Sequence, residues 1–174
     1  MACPLTQGYS FLGCKGGAGG IKRVLLSEFA NKNTQTIVAG VITAITLDTG
    51  TQFREYLLDK EMGFFSDNGA WTKASGVKSY APMVDFTIKG LTTAVRQEMD
   101  LVAQNTLLII VESKAGVYYM FGYDSGMDLM TWGVESGTGL IDFNGMKMHF
   151  EGQEITPIYE VSSGLIASLL VPAV

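Results

Sequence analysis

Residues 107–123 read LLIIVESKAGVYYMFGY, and this stretch predicts a β-hairpin. Residues 107–112 are apolar and rich in β-branched side chains, which favour a pleated strand. Residues 113–116, SKAG, have the composition of a turn, and residues 117–123 lead the chain back as a second apolar strand. The hairpin makes a β-rich fold the first expectation.

Downstream of this hairpin, short strands continue to alternate with turn signals. A turn at residues 124–126 precedes a strand at 129–134, and a glycine-containing loop follows at 135–139. Asn144-Gly145 signals a hairpin before a strand at 146–151. The last predicted strand covers 155–161, where Pro157 favours a sheet edge. Evenly spaced strands of this kind indicate a sandwich or a barrel.

Upstream, the sequence predicts a strand at 21–26 and one long hairpin at 37–57. Residues 37–47, IVAGVITAITL, form a β-branched run, Asp48-Thr49-Gly50 forms a turn, and residues 52–57 partly alternate between polar and apolar. Residues 59–79 are less regular, with turn signals at 67–69 and 75–76 on either side of Trp71. Residues 80–89 alternate as a half-buried strand.

One helix is predicted, at residues 92–104. Val95, Met99 and Val102 recur at helical spacing, and Thr92 or Thr93 can cap the first turn. The fold class expected from the residues is therefore mainly β, a sandwich or barrel flanked by a single α-helix.

The composition favours a protein that buries part of its surface in contacts with partners. The 174 residues suffice for one domain, with 47% hydrophobic and only 17% charged residues. No apolar run has the length that crosses a bilayer, so the apolar excess is interpreted as contact surface and no membrane partner is expected. The net charge of −5 argues against tight, sequence-independent DNA binding, which needs Lys and Arg on phosphates.

The sequence contains no recognisable motif for phosphate binding or for catalysis. The glycines at 16–20 precede a strand and lack the Gly-Lys-Ser or Gly-Lys-Thr ending of a phosphate loop. His149 is the only histidine and lies in mid-strand, where packing or solvation is expected and a catalytic triad is not. We therefore expect no enzyme and no cofactor.

A metal site is not expected either. Four acids fall in or near turns, but their spacing matches no calcium loop: Asp124, Asp128, Glu135 and Asp142. Cys3 and Cys14, together with the distant His149, offer too few ligands for zinc. The two cysteines are interpreted as free thiols, and a disulfide between them is the alternative.

Several short motifs resemble the tail-tube-like structural proteins of phages that infect Bacteroidetes. In the C-terminal half these are ESGTG at 135–139, DFNGM at 142–146, FEGQE at 150–154 and PIYEV at 157–161. Near the start, Cys14 and GGIKRVL at 19–25 resemble the opening of these proteins. The helix that follows the strand, within 86–104, also stands where they have theirs. The apolar segment from Gly164 onward is longer than the family pattern, which suits a specialised neck or stopper ring.

The resemblance implies a structural role in the virion. Its fold would be a β-sandwich with one flanking helix, and six copies, or alternatively twelve, would form a ring. Paired strands from every subunit would line a channel through which genomic DNA passes without sequence recognition. Other tail, neck and portal proteins would be its partners, and assembly would take place in the cytoplasm of the host bacterium.

On this interpretation the chain divides into three parts. Residues 1–20 form a flexible N-terminal arm, residues 21–163 the β domain, and residues 164–174 an apolar C-terminal arm that reaches a neighbouring subunit or ring. The alternative for the last part is that it folds back on its own sandwich as an extra edge strand. Candidate channel and interface residues are Val41, Thr43, Ile45, Thr51 and Gln52 in the predicted hairpin, and Leu165, Ile166, Leu169 and Leu170 in the arm.

A second class of function remains open at this point. A β-sandwich that binds carbohydrate would use exposed aromatic side chains as stacking platforms, and the candidates are Trp71, Tyr80, Trp132 and Tyr159. Oligomerisation separates the two classes, because a binding module is expected to be a monomer with a compact groove.

Overall fold

The computed structural model describes residues 19–73, 76–90, 92–139 and 141–170. In chain order the strands are β1 (Ile21–Glu28), β2 (Lys32–Val38), β3 (Val41–Leu47), β4 (Arg54–Leu57), β5 (Gly63–Thr72), β6 (Val77–Lys89), β7 (Leu107–Ser113), β8 (Tyr118–Phe121), β9 (Met127–Glu135), β10 (Gly145–Gly152) and β11 (Tyr159–Val161). The helices are α1 (Thr93–Gln104) and α2 (Ser163–Leu169), and a 3₁₀ turn covers Phe29–Asn31.

Strand β7 is the centre of the fold. All seven of its residues are buried, because β1 pairs along one edge, β8 pairs along the other, and apolar cores cover both faces. Val111 faces one core while Ile110 faces the other, as the twofold alternation of a strand requires. The hairpin predicted at 107–123 is confirmed.

The strands form two layers that share β7 as their link. One layer has the order β4-β1-β7-β8-β11-β3-β2, and the other has the order β9-β10-β6-β5. The layers are joined where Leu107 of β7 pairs with Met127 at the start of β9. The expected mainly β, sandwich-like fold is confirmed, although a short second helix, α2, was not expected.

The first core fills the space between the two layers. Phe86 of β6 and Phe150 of β10 stack with ring centroids 5.5 Å apart and planes inclined by 6°. Helix α1 closes this core with Met99 and Val102, which are both buried. The Thr92 side chain accepts a hydrogen bond from Val95 N at 3.2 Å, so the predicted helix and its cap are confirmed.

The second core lies on the opposite face of β7 and includes the C-terminal helix. Ile166 and Leu169 of α2 are buried there, Leu165 and Leu170 are half-buried, and Phe53 N donates a hydrogen bond to Leu169 O at 2.9 Å. Residues 163–170 thus pack on their own chain and do not extend from it as the expected arm. They do so as a helix and one bridging residue because burial of the large aliphatic side chains is favourable. Residues 171–174, and the expected N-terminal arm up to residue 18, lie outside the described part.

The hairpin predicted at 37–57 is wrong. Ala39 and Gly40 have positive φ angles of 52° and 83°, and they form a two-residue turn between β2 and β3. The real hairpin is therefore Lys32–Val38 with Val41–Leu47, and β4 pairs with β1 instead of β3. The Ala-Gly pair was hidden inside an otherwise continuous β-branched run.

The longest hairpin, β5–β6, was not predicted. The triplet at 67–69 lies inside β5 and is not a turn, and its residues pair with Pro82, Ala81 and Tyr80 of β6. The core-facing half of β6 alternates as expected. Residues with weak strand propensity are held extended here because β6 supplies a complete ladder of partners.

Two further predictions near the C-terminus need correction. Gly145 pairs with Glu135, so β9 and β10 are joined by the loop 136–144 and not by a tight Asn-Gly turn. Strand β11 is only three residues long, and it lies between β3 and β8 instead of at an edge. Pro157 falls just before it, where no ladder hydrogen bond is lost.

Gly145 tests how closely β10 and β6 approach. A Cβ atom at this position would lie 2.1 Å from the backbone oxygen of Ile88, whereas a Cβ at Gly133 of β9 meets nothing within 4 Å. We expect Gly145→Ala to lower the free energy of unfolding by about 3 kcal/mol, since backbone atoms must separate. The matched variant Gly133→Ala should be neutral or slightly stabilising. Chemical denaturation measures both, and equal values for the two would contradict the described register.

Ile166 tests the position of α2. Because this side chain is buried in the second core, Ile166→Ala should cost about 2–5 kcal/mol of stability in the monomeric protein. The neighbouring variant Ala167→Ser, at an exposed position, should change stability by less than about 0.5 kcal/mol. If Ile166→Ala unfolds at the same denaturant concentration as wild type, residues 163–170 pack elsewhere, as the arm interpretation requires.

Candidate assembly surface

The outer part of the β5–β6 hairpin projects from the sandwich. Residues 68–73 and 76–79 are exposed, although β5 and β6 remain paired out to Thr72 and Val77. We call residues 68–73 and 76–79 the distal hairpin. A two-stranded ribbon exposed on both faces is marginal in water unless another surface covers it. The distal hairpin is therefore the first candidate for a contact with another molecule.

The base of the hairpin is fixed to the sandwich by backbone bonds. Tyr80 N donates to Glu154 O at 2.8 Å, and Glu154 N donates to Tyr80 O at 2.9 Å. Asp67 on the opposite strand accepts a bond from Ile158 N at 3.1 Å. These bonds set the angle at which the distal hairpin leaves the domain.

Glu154 also fixes the loop between β8 and β9. Its buried carboxylate accepts bonds from Asp124 N at 2.6 Å and Ser125 N at 3.1 Å. Burial raises the pKa of Glu154, although these two backbone donors oppose the shift. One acidic side chain thus connects the hairpin base to the centre of the fold, which is a structural role.

One face of the distal hairpin is aromatic and basic. Cross-strand register pairs Trp71 with Lys78 and Gly69 with Tyr80, so the three side chains share the face that continues the core side of β6. The Tyr80 ring lies over Gly69, where a Cβ atom would be 3.1 Å from Cε1, and the Lys78 ammonium lies 6.0 Å from the ring centroid. Trp71 is 64% exposed at the outer end.

The edge of β9 is a second exposed surface. Beyond Met127, β9 pairs with β10 on one side only within the described part of the chain. Met130, Trp132 and Val134 on this strand are each about half exposed. An open, apolar strand edge is a template for pairing with another chain, so a soluble protein normally covers or blunts it.

A groove opens between α1 and the β1–β4 edge. It encloses about 320 Å³, at the lower end of volumes that hold a small ligand or one large side chain. The apolar residues that line it are Leu26, Leu101, Val102 and Leu107. Leu101 is 56% exposed on the helix, so the groove presents apolar surface to solvent.

The rim of the groove has more acid than base. Glu28 and Glu98 are acidic, Arg54 is basic, and Asn31 donates to Glu28 at 3.2 Å. The Tyr56 hydroxyl donates to Glu98 at 3.3 Å, and burial together with this carboxylate raises the pKa of Tyr56. Tyr56 is therefore a neutral hydrogen-bond donor at physiological pH.

An ion-pair network joins four strands of the larger layer. Arg23 of β1 contacts Glu55 of β4 at 2.5 Å, the Tyr118 hydroxyl of β8 at 2.7 Å, and the buried Glu112 of β7. Burial alone would raise the pKa of Glu112, but hydrogen bonds from Lys22, Arg23 and Tyr118 outweigh it and lower the pKa. The network spans four adjacent strands, and its function is structural.

The predicted hairpin residues do not share one surface. Ile45 is buried in the second core, and Val41 is half-buried where β3 pairs with Glu160 of β11. Thr43 is exposed and its hydroxyl donates to Thr36 O at 3.3 Å. Thr51 and Gln52 lie in the loop after β3, and they line the groove beside α1. A lumen face built from all five is therefore not formed within one subunit, and Ile45→Asp would disrupt the core first.

The proposed aromatic platform is also divided. Trp71 and Tyr80 share the hairpin face, but Trp132 lies on β9, two strands away from β6. Tyr159 packs edge-on against Tyr123 with ring centroids 4.9 Å apart. The four aromatic residues do not form one stacking surface.

The acids considered for calcium binding have separate partners. Asp124 accepts a bond from Thr156, Asp128 from Thr106, Glu135 pairs with Lys147, and Asp142 accepts bonds from Thr138 and Gly139 within its own loop. Among residues 19–73, 76–90, 92–139 and 141–170, no three His, Cys, Asp or Glu side chains are grouped to hold a metal ion. No helix in the same ranges is long and apolar enough to cross a membrane.

His149 lies between two carboxylates on the outer face of β10. Its Nδ1 is 2.8 Å from Asp85 on β6, and its Nε2 is 2.8 Å from Glu151 on the same strand. Only the imidazolium form donates from both nitrogens. The hydrogen bond to Glu151 raises the pKa of His149, and that to Asp85 adds to the increase against the effect of burial. No sequence pattern signals this arrangement, because strand register alone brings Asp85 beside the histidine.

Comparisons with known proteins supply no relative for this chain. No protein-family model, no curated protein and no solved structure matches it.

The raised pKa of His149 makes part of the stability depend on pH. The imidazolium contributes fully below the unfolded pKa of about 6.5, and this contribution is lost as pH rises through the higher folded value. Below about pH 6.5 we expect His149→Gln to lower the melting temperature, with a loss of about 1 kcal/mol or less in the free energy of unfolding. At alkaline pH the melting temperature of the variant should approach that of wild type. Thermal unfolding over a pH series measures the difference.

Lys147→Gln is the matched control for this measurement. Lys147 is on the same strand and forms an ion pair with Glu135, so this variant removes an ion pair from β10 without changing the histidine. Its effect on melting temperature should stay constant over the same pH series. A His149→Gln effect that is equally constant, or that grows with pH, would show that the bridging imidazolium does not form.

Proposed function

We propose that this protein is a structural subunit of a phage virion that self-associates into a ring of the tail tube or of the head–tail connector, around a channel for DNA. The observation that carries the proposal is the distal hairpin, which projects from the sandwich with both faces exposed. The motif resemblance supports the phage context.

Self-association accounts for the exposed ribbon better than a monomeric state does. A two-stranded ribbon gains its stability from a covering surface, and identical subunits supply one in every copy. The open edge of β9, with Met130, Trp132 and Val134, offers further apolar area that assembly would bury. Closure into a ring covers such surfaces without leaving any to recruit further chains.

The charge of the chain suits a conduit. A net charge of −5 leaves few cations to hold phosphates, so DNA inside a channel of such subunits would slide without being retained. The distal hairpin is an exception, since it carries Lys73 and Lys78 and no acid. On this proposal these lysines meet protein and not DNA.

Assembly by the intact chain is the central test. We expect light scattering at micromolar concentration to show a discrete ring mass and electron microscopy to show annular particles. A short-hairpin variant, in which residues 70–79 are replaced by Asn-Gly, keeps the Gly69–Tyr80 pair and the bonds from Tyr80 to Glu154. It should fold with a melting temperature close to that of wild type and remain monomeric.

Two results would overturn the proposal. One is a wild-type protein that stays monomeric over a broad concentration range. The other is a wild-type monomer that binds oligosaccharides with a change in its tryptophan fluorescence, because that is the behaviour of the carbohydrate-binding alternative. The same titrations with the short-hairpin variant show whether any sugar binding depends on the distal hairpin.

A further inference from the structure

From the two complementary surfaces we infer that the distal hairpin of one copy docks into the α1 groove of another copy, with Trp71 inserted between α1 and the β1–β4 edge. This inference rests on the proposed self-assembly and names the contact that produces it. The occupant of the groove is a second copy of this chain.

Shape supports the pairing of these two surfaces. Trp71 is the large apolar side chain at the outer end of a projecting ribbon, and it is 64% exposed. The groove is lined in part by apolar side chains, including the exposed Leu101, and its volume of about 320 Å³ suits one large aromatic side chain. Tryptophans that enter such pockets are the residues that most often dominate binding energy at protein interfaces.

Charge supports the same pairing. The distal hairpin carries Lys73 and Lys78 with no acidic residue, in a chain whose net charge is −5. The groove rim presents Glu28 and Glu98 against the single Arg54. Lys78 lies directly across the ladder from Trp71, so insertion of the indole brings the ammonium group to the rim. The charges of the two surfaces are therefore complementary, which favours their encounter and sets their orientation.

The contact is made by different surfaces on the two copies. A contact of this type has a free hairpin at one end and a free groove at the other, so it propagates until a ring closes. Thr51 and Gln52, which were predicted as channel residues, line the groove and would contact the incoming hairpin.

Complementation between two defective variants tests the contact directly. The short-hairpin variant keeps its groove, and Leu101→Arg blocks the groove but keeps the hairpin. Each variant alone should be a monomer, and an equimolar mixture should form a 1:1 heterodimer. In a Trp132→Phe background Trp71 is the single tryptophan of the blocked-groove protein, so its emission should shift to the blue on mixing. Gln97→Arg, which adds the same charge on an exposed position of α1 outside the groove lining, should assemble like wild type.

Point variants of the hairpin separate its two faces. Trp71→Ala should weaken association at least ~10-fold, whereas Val77→Ala on the opposite face should leave it within about twofold of wild type. Lys78→Glu should weaken association by a comparable factor, and the addition of Glu98→Lys should restore it. Failure of this charge swap together with normal assembly of Leu101→Arg would overturn the inference.

The outcomes distinguish this inference from the proposed function. If wild type forms rings but the two defective variants do not combine, the docking contact is wrong and ring formation stands. If the variants combine but wild type forms only open or dimeric species, the contact stands and the ring is wrong. If duplex DNA shifts the Trp71 emission and mixing does not, the distal hairpin contacts nucleic acid and the inference is overturned.

Discussion

The burial of β7 on both faces is the constraint on which the rest of the structure depends. A strand in this position needs neighbours on two edges and apolar cover on two faces, because its unpaired backbone groups would be costly away from water. β1 and β8 supply the edges, and the two cores supply the faces. The smaller layer with α1 covers one face, and β3 with α2 covers the other. The remaining strands lie at positions set by these demands.

This constraint explains which predictions from sequence succeeded. Polar and apolar residues do not alternate in 107–112, so the sequence predicts a buried strand there. The sequence does not identify the two layers that cover this strand. Helix α1 was recognisable because Val95, Met99 and Val102 recur at helical spacing and Thr92 caps the helix. Both signals are local, and local periodicity is the part of a fold that a single sequence expresses most directly.

The failures share a different cause, which is pairing between distant residues. Ala39-Gly40 was overlooked as a turn because the residues around it are β-branched. The prediction therefore paired β4 with β3, whereas β4 pairs with β1 in the structure. The triplet at 67–69 has the composition of a turn, yet it is extended because β6 completes its ladder. The groove and the distal hairpin are products of such pairings. Their residues, including Leu101 and Trp71, carry no spacing pattern that connects them in the sequence.

The C-terminal helix has a consequence for the order in which the protein folds. The face of β7 that carries Leu108 and Ile110 is completed by Ile166 and Leu169, which leave the ribosome well after β7 itself. During synthesis that face therefore remains open to other chains, and an open apolar strand surface attracts misassembly. The segment also bonds to a residue far away in the chain, since Phe53 N donates to Leu169 O, and contacts between residues distant in sequence slow folding. The sandwich is complete only when this C-terminal segment docks on it, so the native domain forms late in the synthesis of each chain.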